Sequence, residues 1–75
     1  MDSNFVSGMA EILEVDPAAI DTSFELTPDN WNSLAIVSTI ALSDELYGVL
    51  LNGQALGKCK SLAEVNAMIE KAKSA

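Results

Sequence analysis

Two positions in this 75-residue chain carry side chains placed for chemistry. Ser33 follows Asn32 where a helix begins, and Cys59 lies between Lys58 and Lys60. A serine in the first turn of a helix sets its hydroxyl beside backbone N–H groups that have no intrahelical partner. A phosphate ester on it would meet those donors and the positive end of the helix dipole, worth roughly 0.3–1 kcal/mol at an exposed site. Cys59 reads first as a small buried apolar residue; a reactive thiol needs exposure and a nearby cation, which Lys58 and Lys60 would supply. The chain has no histidine, which removes the commonest general base and the commonest zinc ligand. No set of acid, base and nucleophile assembles from what remains, so the expectation is a protein that is not an enzyme and has no metal site. A calcium loop around Asp29 fails because Trp31 occupies a position that needs an oxygen ligand.

The overall balance narrows the partners. Eleven acids against four bases give a formal charge of −7, so no positive patch exists to release phosphate counterions, and nucleic acid is not expected. With 49% apolar and 20% charged residues the chain is too hydrophobic for a disordered acidic tail. No apolar run approaches the ~20 residues that span a bilayer. Met1-Asp2-Ser3-Asn4 lacks the basic start of a signal peptide, and the single cysteine suits a reducing compartment. The expectation is one small, soluble, cytoplasmic domain over residues 1–75, acting as a monomer. Charge is divided along it: residues 1–57 carry nine acids and no base, whereas 58–75 hold all four lysines and two acids. The N-terminal two-thirds is therefore the face for basic partners.

Helices must position these residues. Phe5, Val6, Met9, Ile12 and Leu13 recur at the spacing of one helix face, which predicts a first helix over residues 3–15, capped by Asp2 or Ser3 and stopped by Asp16-Pro17. Residues 16–32 lack sustained periodicity and form a long loop of the kind that is often functional, with Ile20, Phe24 and Leu26 as anchors. A second helix runs from Ser33 to about Tyr47, with Asn32 as N-cap, Trp31 stapled onto Ile36, and Gly48 ending it in the left-handed conformation. On its wheel Ile36, Thr39, Ile40, Ser43 and Tyr47 share the inner side, flanked by Leu42 and Leu46. The outer side carries Leu34, Val37, Ser38, Ala41, Asp44 and Glu45, and its apolar members mark a contact surface. Gln54–Cys59 forms a single helical turn. Ser61 and Glu64 form a capping box that opens a last helix to about Lys73, burying Leu62, Val65, Met68, Ile69 and Ala72. The fold class is all-α: three main helices, a short third one, and a long loop between the first two.

Taken together, Phe24-Glu25-Leu26 in the long loop, Trp31-Asn32-Ser33-Leu34-Ala35-Ile36-Val37, and Asp44-Glu45-Leu46-Tyr47-Gly48 resemble an acyl carrier protein. The likeness covers essentially the whole chain, its length and its acidity. Members of that family carry 4′-phosphopantetheine on the serine of an Asp-Ser-Leu motif at the start of helix two, which Ser33-Leu34 matches. The resemblance implies acyl intermediates held as thioesters on an arm attached to Ser33. It also implies a phosphopantetheinyl transferase as one partner, and acyl-loading and acyl-processing enzymes of fatty acid, polyketide or surface-lipid biosynthesis as others. Leu34, Val37, Ala41, Asp44 and Glu45 are the expected partner contacts.

Two departures matter. Asn32 stands where the family has aspartate; it caps about as well but lacks the charge a transferase reads. Helix two is also less acidic than the family's, so its partners read more shape and apolar contact. An unmodified, carrier-like interaction module binding through helix two is the alternative that Asn32 favours. The hydroxyls of Thr39 and Ser43 bear on cargo, since burying an unsatisfied hydroxyl costs roughly 1–3 kcal/mol, which is avoided if it bonds to the carbonyl four residues back. Left unsatisfied, they point to short or polar cargo.

Overall fold

The computed structural model describes residues 2–74; the two end residues of the domain expected over 1–75 lie outside them. The described residues form α1 (Ser3–Leu13), α2 (Ser33–Tyr47), α3 (Gly53–Gly57) and α4 (Leu62–Ser74), with a single 3₁₀ turn at Pro17–Ala19. The architecture is the expected small all-α bundle. One cluster centred on Phe5, Met9, Trp31, Leu56, Leu62, Val65 and Ile69 fills the space between the helices.

α1 ends two residues earlier than its sequence suggests. Glu14 adopts the left-handed conformation at φ 58°, ψ 45°, its N–H donating to the Glu11 carbonyl, while Val15 N–H donates to the Ala10 carbonyl at 3.0 Å. This crossed pair closes the helix before the Asp16-Pro17 restriction can act. Asp16 is thereby released to cap the 3₁₀ turn, accepting from Ala18 N–H at 2.8 Å. At the other end Asp2 is the N-cap, but its side chain makes no capping bond. Its carboxylate instead accepts from the Tyr47 hydroxyl at 3.3 Å. Lys73 covers the face of that ring, 4.8 Å from its centroid, so one tyrosine gathers the start of α1 and the ends of α2 and α4. Burial, and then the nearby Asp2 charge, raise the Tyr47 phenol above its ordinary pKa.

α2 packs against α1 through small residues. Ala35, Thr39 and Ser43, spaced by four, are its buried strip. The two hydroxyls donate to carbonyls of their own helix, Thr39 to Ala35 at 2.8 Å and Ser43 to Thr39 at 2.9 Å. Thr39 and Ser43 thus lie inside as expected, with Ala35 continuing the strip; Ile36, Ile40 and Tyr47 are only half-buried beside it. Across the interface, a Cβ on Gly8 would meet the methyl groups of Leu42 at 2.7 Å, so a larger residue there would make the Leu42 side chain shift.

The long loop is tied to the start of α4. Glu25 and Ser61 form an antiparallel bridge, and Leu26 N–H donates to the Lys60 carbonyl at 2.9 Å. In return the Leu62 and Ala63 N–H groups, which have no partner inside α4, donate to the Phe24 and Thr22 carbonyls at 3.0 and 3.1 Å. Only half of the expected capping box forms: Glu64 accepts from Ser61 N–H at 3.1 Å, whereas its own N–H donates to the Ser61 carbonyl at 3.2 Å and not to the Ser61 hydroxyl. Ile20 and Leu26 are buried and Phe24 half-buried, so all three anchor the loop. Within it Asp21 accepts from both the hydroxyl and the N–H of Ser23, and the hydroxyl bond foremost holds its carboxyl below the usual range.

A non-glycine residue in the left-handed region costs roughly 1–2 kcal/mol, and Glu14 is the only one among the described residues. Glu14→Gly removes that strain and gives back part of the gain through a more flexible unfolded chain. Urea unfolding is expected to show a net stabilisation of about 0.5–1 kcal/mol; a loss of stability contradicts this account of how α1 ends.

Candidate functional site

The start of α2 is specified twice over. Asn32 has extended backbone, and its Oδ1 accepts from Ala35 N–H at 2.9 Å, so the N-cap is the expected one. One residue earlier the Trp31 indole N–H donates to the Leu56 carbonyl at 2.7 Å, in a buried bond that pins this end of α2 to α3. Ser33 is therefore the first residue of α2, held between a capped turn and an anchored indole. Its side chain is exposed and its hydroxyl makes no hydrogen bond among the described residues. The Ser33 and Leu34 amides precede the one that the Asn32 cap takes, so the first turn keeps donors for an anion.

The structure brings the expected contact residues onto one exposed face. Leu34 and Val37 are 75% and 61% exposed, unusual for large apolar side chains on a helix of a small bundle. Ala41, Asp44 and Glu45 continue the same exposed stripe toward the end of α2, which Gly48 closes at φ 67°. At about 1.5 Å per residue the stripe from Ser33 to Glu45 is roughly 18 Å long. The Asp44–Glu45 pair puts the stripe's charge at the opposite end from Ser33.

Two features are absent from the sequence reading. Leu50, just past α2, is 83% exposed. Beside the first turn of α2 lies a groove of about 390 Å³, with Ile12 of α1 and Leu34, Ala35 and Asn32 as its walls and Glu11 and Glu14 at its rim. Only the close approach of α1 to α2 creates it, and no local pattern signals that approach. The expectation of short or polar cargo loses its basis, because both inner hydroxyls of α2 are satisfied within the helix and carry no desolvation penalty toward a hydrocarbon chain.

Cys59 is set apart from this face. Its thiol is half-buried, 3.6 Å from both the Ala55 carbonyl and Met68 Sδ. Burial, and then the Glu64 charge, push its pKa up despite the flanking lysines, so the thiol is a packing group.

Comparison with family models, curated proteins and solved structures finds no match to this chain. What the site does must be argued from its own geometry.

Two measurements check that geometry. Asn32→Ala removes the only side-chain cap on α2 and is expected to cost about 1 kcal/mol in urea unfolding, whereas Asn32→Asp retains the cap and gains a few tenths from the dipole. Equal stabilities for the three proteins would show that the cap contributes nothing. For Cys59, alkylation by iodoacetamide at pH 8 is expected to run slower than that of a free cysteine; a faster rate would mean that Lys58 and Lys60 activate the thiol.

Proposed function

We propose that this chain is an acyl carrier protein. It bears 4′-phosphopantetheine on Ser33, holds acyl intermediates as thioesters on that arm, and delivers them in the cytoplasm to separate enzymes of fatty acid, polyketide or surface-lipid biosynthesis. The observation that carries the reading is the unbonded, exposed Ser33 hydroxyl at the first position of a helix whose cap and anchor are already in place. A nucleophilic hydroxyl there is open to a transferase, and the phosphodiester it becomes meets the free amides of the turn. The thiol that carries cargo belongs to the arm, so the chain needs neither a histidine nor a reactive cysteine. The apolar stripe of Leu34, Val37 and Ala41 then gives partners a surface next to the arm, and Asp44 and Glu45 orient them by charge.

Asn32 supports a second reading, an unmodified module that binds a partner through the same stripe. Its amide caps the helix, but it offers a transferase no carboxylate beside the serine.

Incubation with coenzyme A and a broad-specificity phosphopantetheinyl transferase, followed by intact-mass measurement, separates the two. The carrier reading expects one phosphopantetheinyl group on the chain and none on Ser33→Ala. It also expects the variant's stability to stay within about 0.5 kcal/mol, since alanine favours helix and Asn32 makes the cap. Asn32→Asp is expected to be modified faster. A chain that gains no mass even as Asn32→Asp, or a Ser33→Ala protein that unfolds, overturns the carrier reading.

A further inference from the structure

One cavity lies on neither the Ser33 hydroxyl nor the exposed stripe. It opens between the long loop and the link from α3 to α4, with a volume of about 780 Å³, within the range of about 300–1,000 Å³ typical of small-molecule sites. Its apolar wall is Leu26, Pro28 and Trp31. Leu26 and Trp31 belong to the core and are only 8% and 7% exposed, so this wall is rigid. The Trp31 indole is further fixed by its bond to Leu56, and the two sides of the cavity are joined by the Leu26–Lys60 backbone bond.

Two of the four lysines, Lys58 and Lys60, line the same cavity. The other two, Lys71 and Lys73, stand at the end of α4, where a cation meets the helix dipole, and Lys73 also pairs with Glu70 at 3.4 Å. Lys58 and Lys60 have no acidic partner among the described residues, although the chain has eleven acids to offer. Glu64, the nearest acid in sequence to Lys60, turns its carboxylate onto the Lys60 and Ser61 backbone amides. Glu25 is the one carboxylate lining the cavity. An apolar wall with two cations at its edge is chemistry for a ligand that has an apolar body and a negative end.

We propose that this cavity binds a small amphipathic anion, its apolar body against Leu26, Pro28 and Trp31 and its carboxylate or phosphate between Lys58 and Lys60. The ligand is free rather than tethered, so the site exists whether or not Ser33 is modified. Glu25 sets a limit on it: the anion must sit on the lysine side, and a doubly charged headgroup feels the repulsion more.

Trp31 is the only tryptophan and lines this cavity, so its fluorescence reports on a ligand bound there, and the lysine variants separate that signal from a change at the start of α2. The experiment titrates the unmodified protein, verified by intact mass, with octanoate and with octyl phosphate below micelle-forming concentrations. Octanamide supplies the body without the charge, and inorganic phosphate the charge without the body. At least one octyl anion is expected to shift Trp31 emission saturably, at least tenfold more tightly than either control; the tighter of the two anions names the headgroup. Lys58→Gln with Lys60→Gln is expected to weaken that binding at least tenfold and leave octanamide unaffected, while Glu25→Gln strengthens it several-fold. Each lysine variant alone, expected to lose about threefold, serves if the double variant is unstable. Octanamide binding as tightly as octanoate and octyl phosphate, lysine variants that bind unchanged, or no saturable change in Trp31 emission with either anion would overturn the proposal.

Discussion

The hydrogen bond from the Trp31 indole to the Leu56 carbonyl joins two parts of the chain 25 residues apart, at 2.7 Å and out of solvent. α3 is a five-residue helix, too short to be stable on its own, and its final carbonyls have no partner within it. The Leu56 carbonyl accepts from the Cys59 N–H at 3.0 Å, and the indole is its second donor. That second bond fixes the residue just before the Asn32 cap, and with it the direction in which α2 leaves the loop. Losing the donor would leave that carbonyl to the Cys59 N–H alone, remove one hydrogen bond of about 0.5–1.5 kcal/mol, and release the end of α2 that carries Ser33. The same ring forms a wall of the large cavity, so the serine and the cavity share one anchor.

Once α2 is held there, its small inner strip decides what faces outward. Ala35, Thr39 and Ser43 let α1 approach closely, and the two hydroxyls are cheap to bury because each has a carbonyl of its own helix to donate to. Putting small residues inside leaves the larger Leu34 and Val37 on the surface. This inverts the usual pattern of a helix in a small bundle, where burial of such side chains supplies stability. The stability comes instead from Phe5, Met9, Leu56, Leu62, Val65 and Ile69, all at most 1% exposed and all outside α2. α2 is thereby free to present a surface.

Much of this was legible in the sequence wherever the cause is local. Asn32 and Gly48 mark both ends of α2 because a side-chain cap and a left-handed glycine act within a few residues. Glu64 marks the start of α4 for the same reason. The end of α1 was not legible: glutamate gives no signal for the left-handed conformation, whereas Asp16-Pro17 gives a clear one that acts too late. Nor could the loop's bonds to α4, or the bond from Trp31 to Leu56, be read from spacing, since they join segments far apart in the chain. Ser33 stood out through its place after a cap, but the groove rimmed by Glu11 and Glu14 and the cavity flanked by Lys58 and Lys60 exist only once the helices pack.

The central claim is that Ser33 is held ready by a turn already built, so that attaching a group there changes little else. Amide spectra of the isotope-labelled chain before and after transfer of phosphopantetheine from coenzyme A test it directly. The account predicts a single modified species with shifts confined to Asn32–Ile36 and the groove beside them, while the Tyr47, Leu56 and Val65 amides stay in place. Shifts spread through α1, α3 and α4, or a chain that takes up no group, would contradict it.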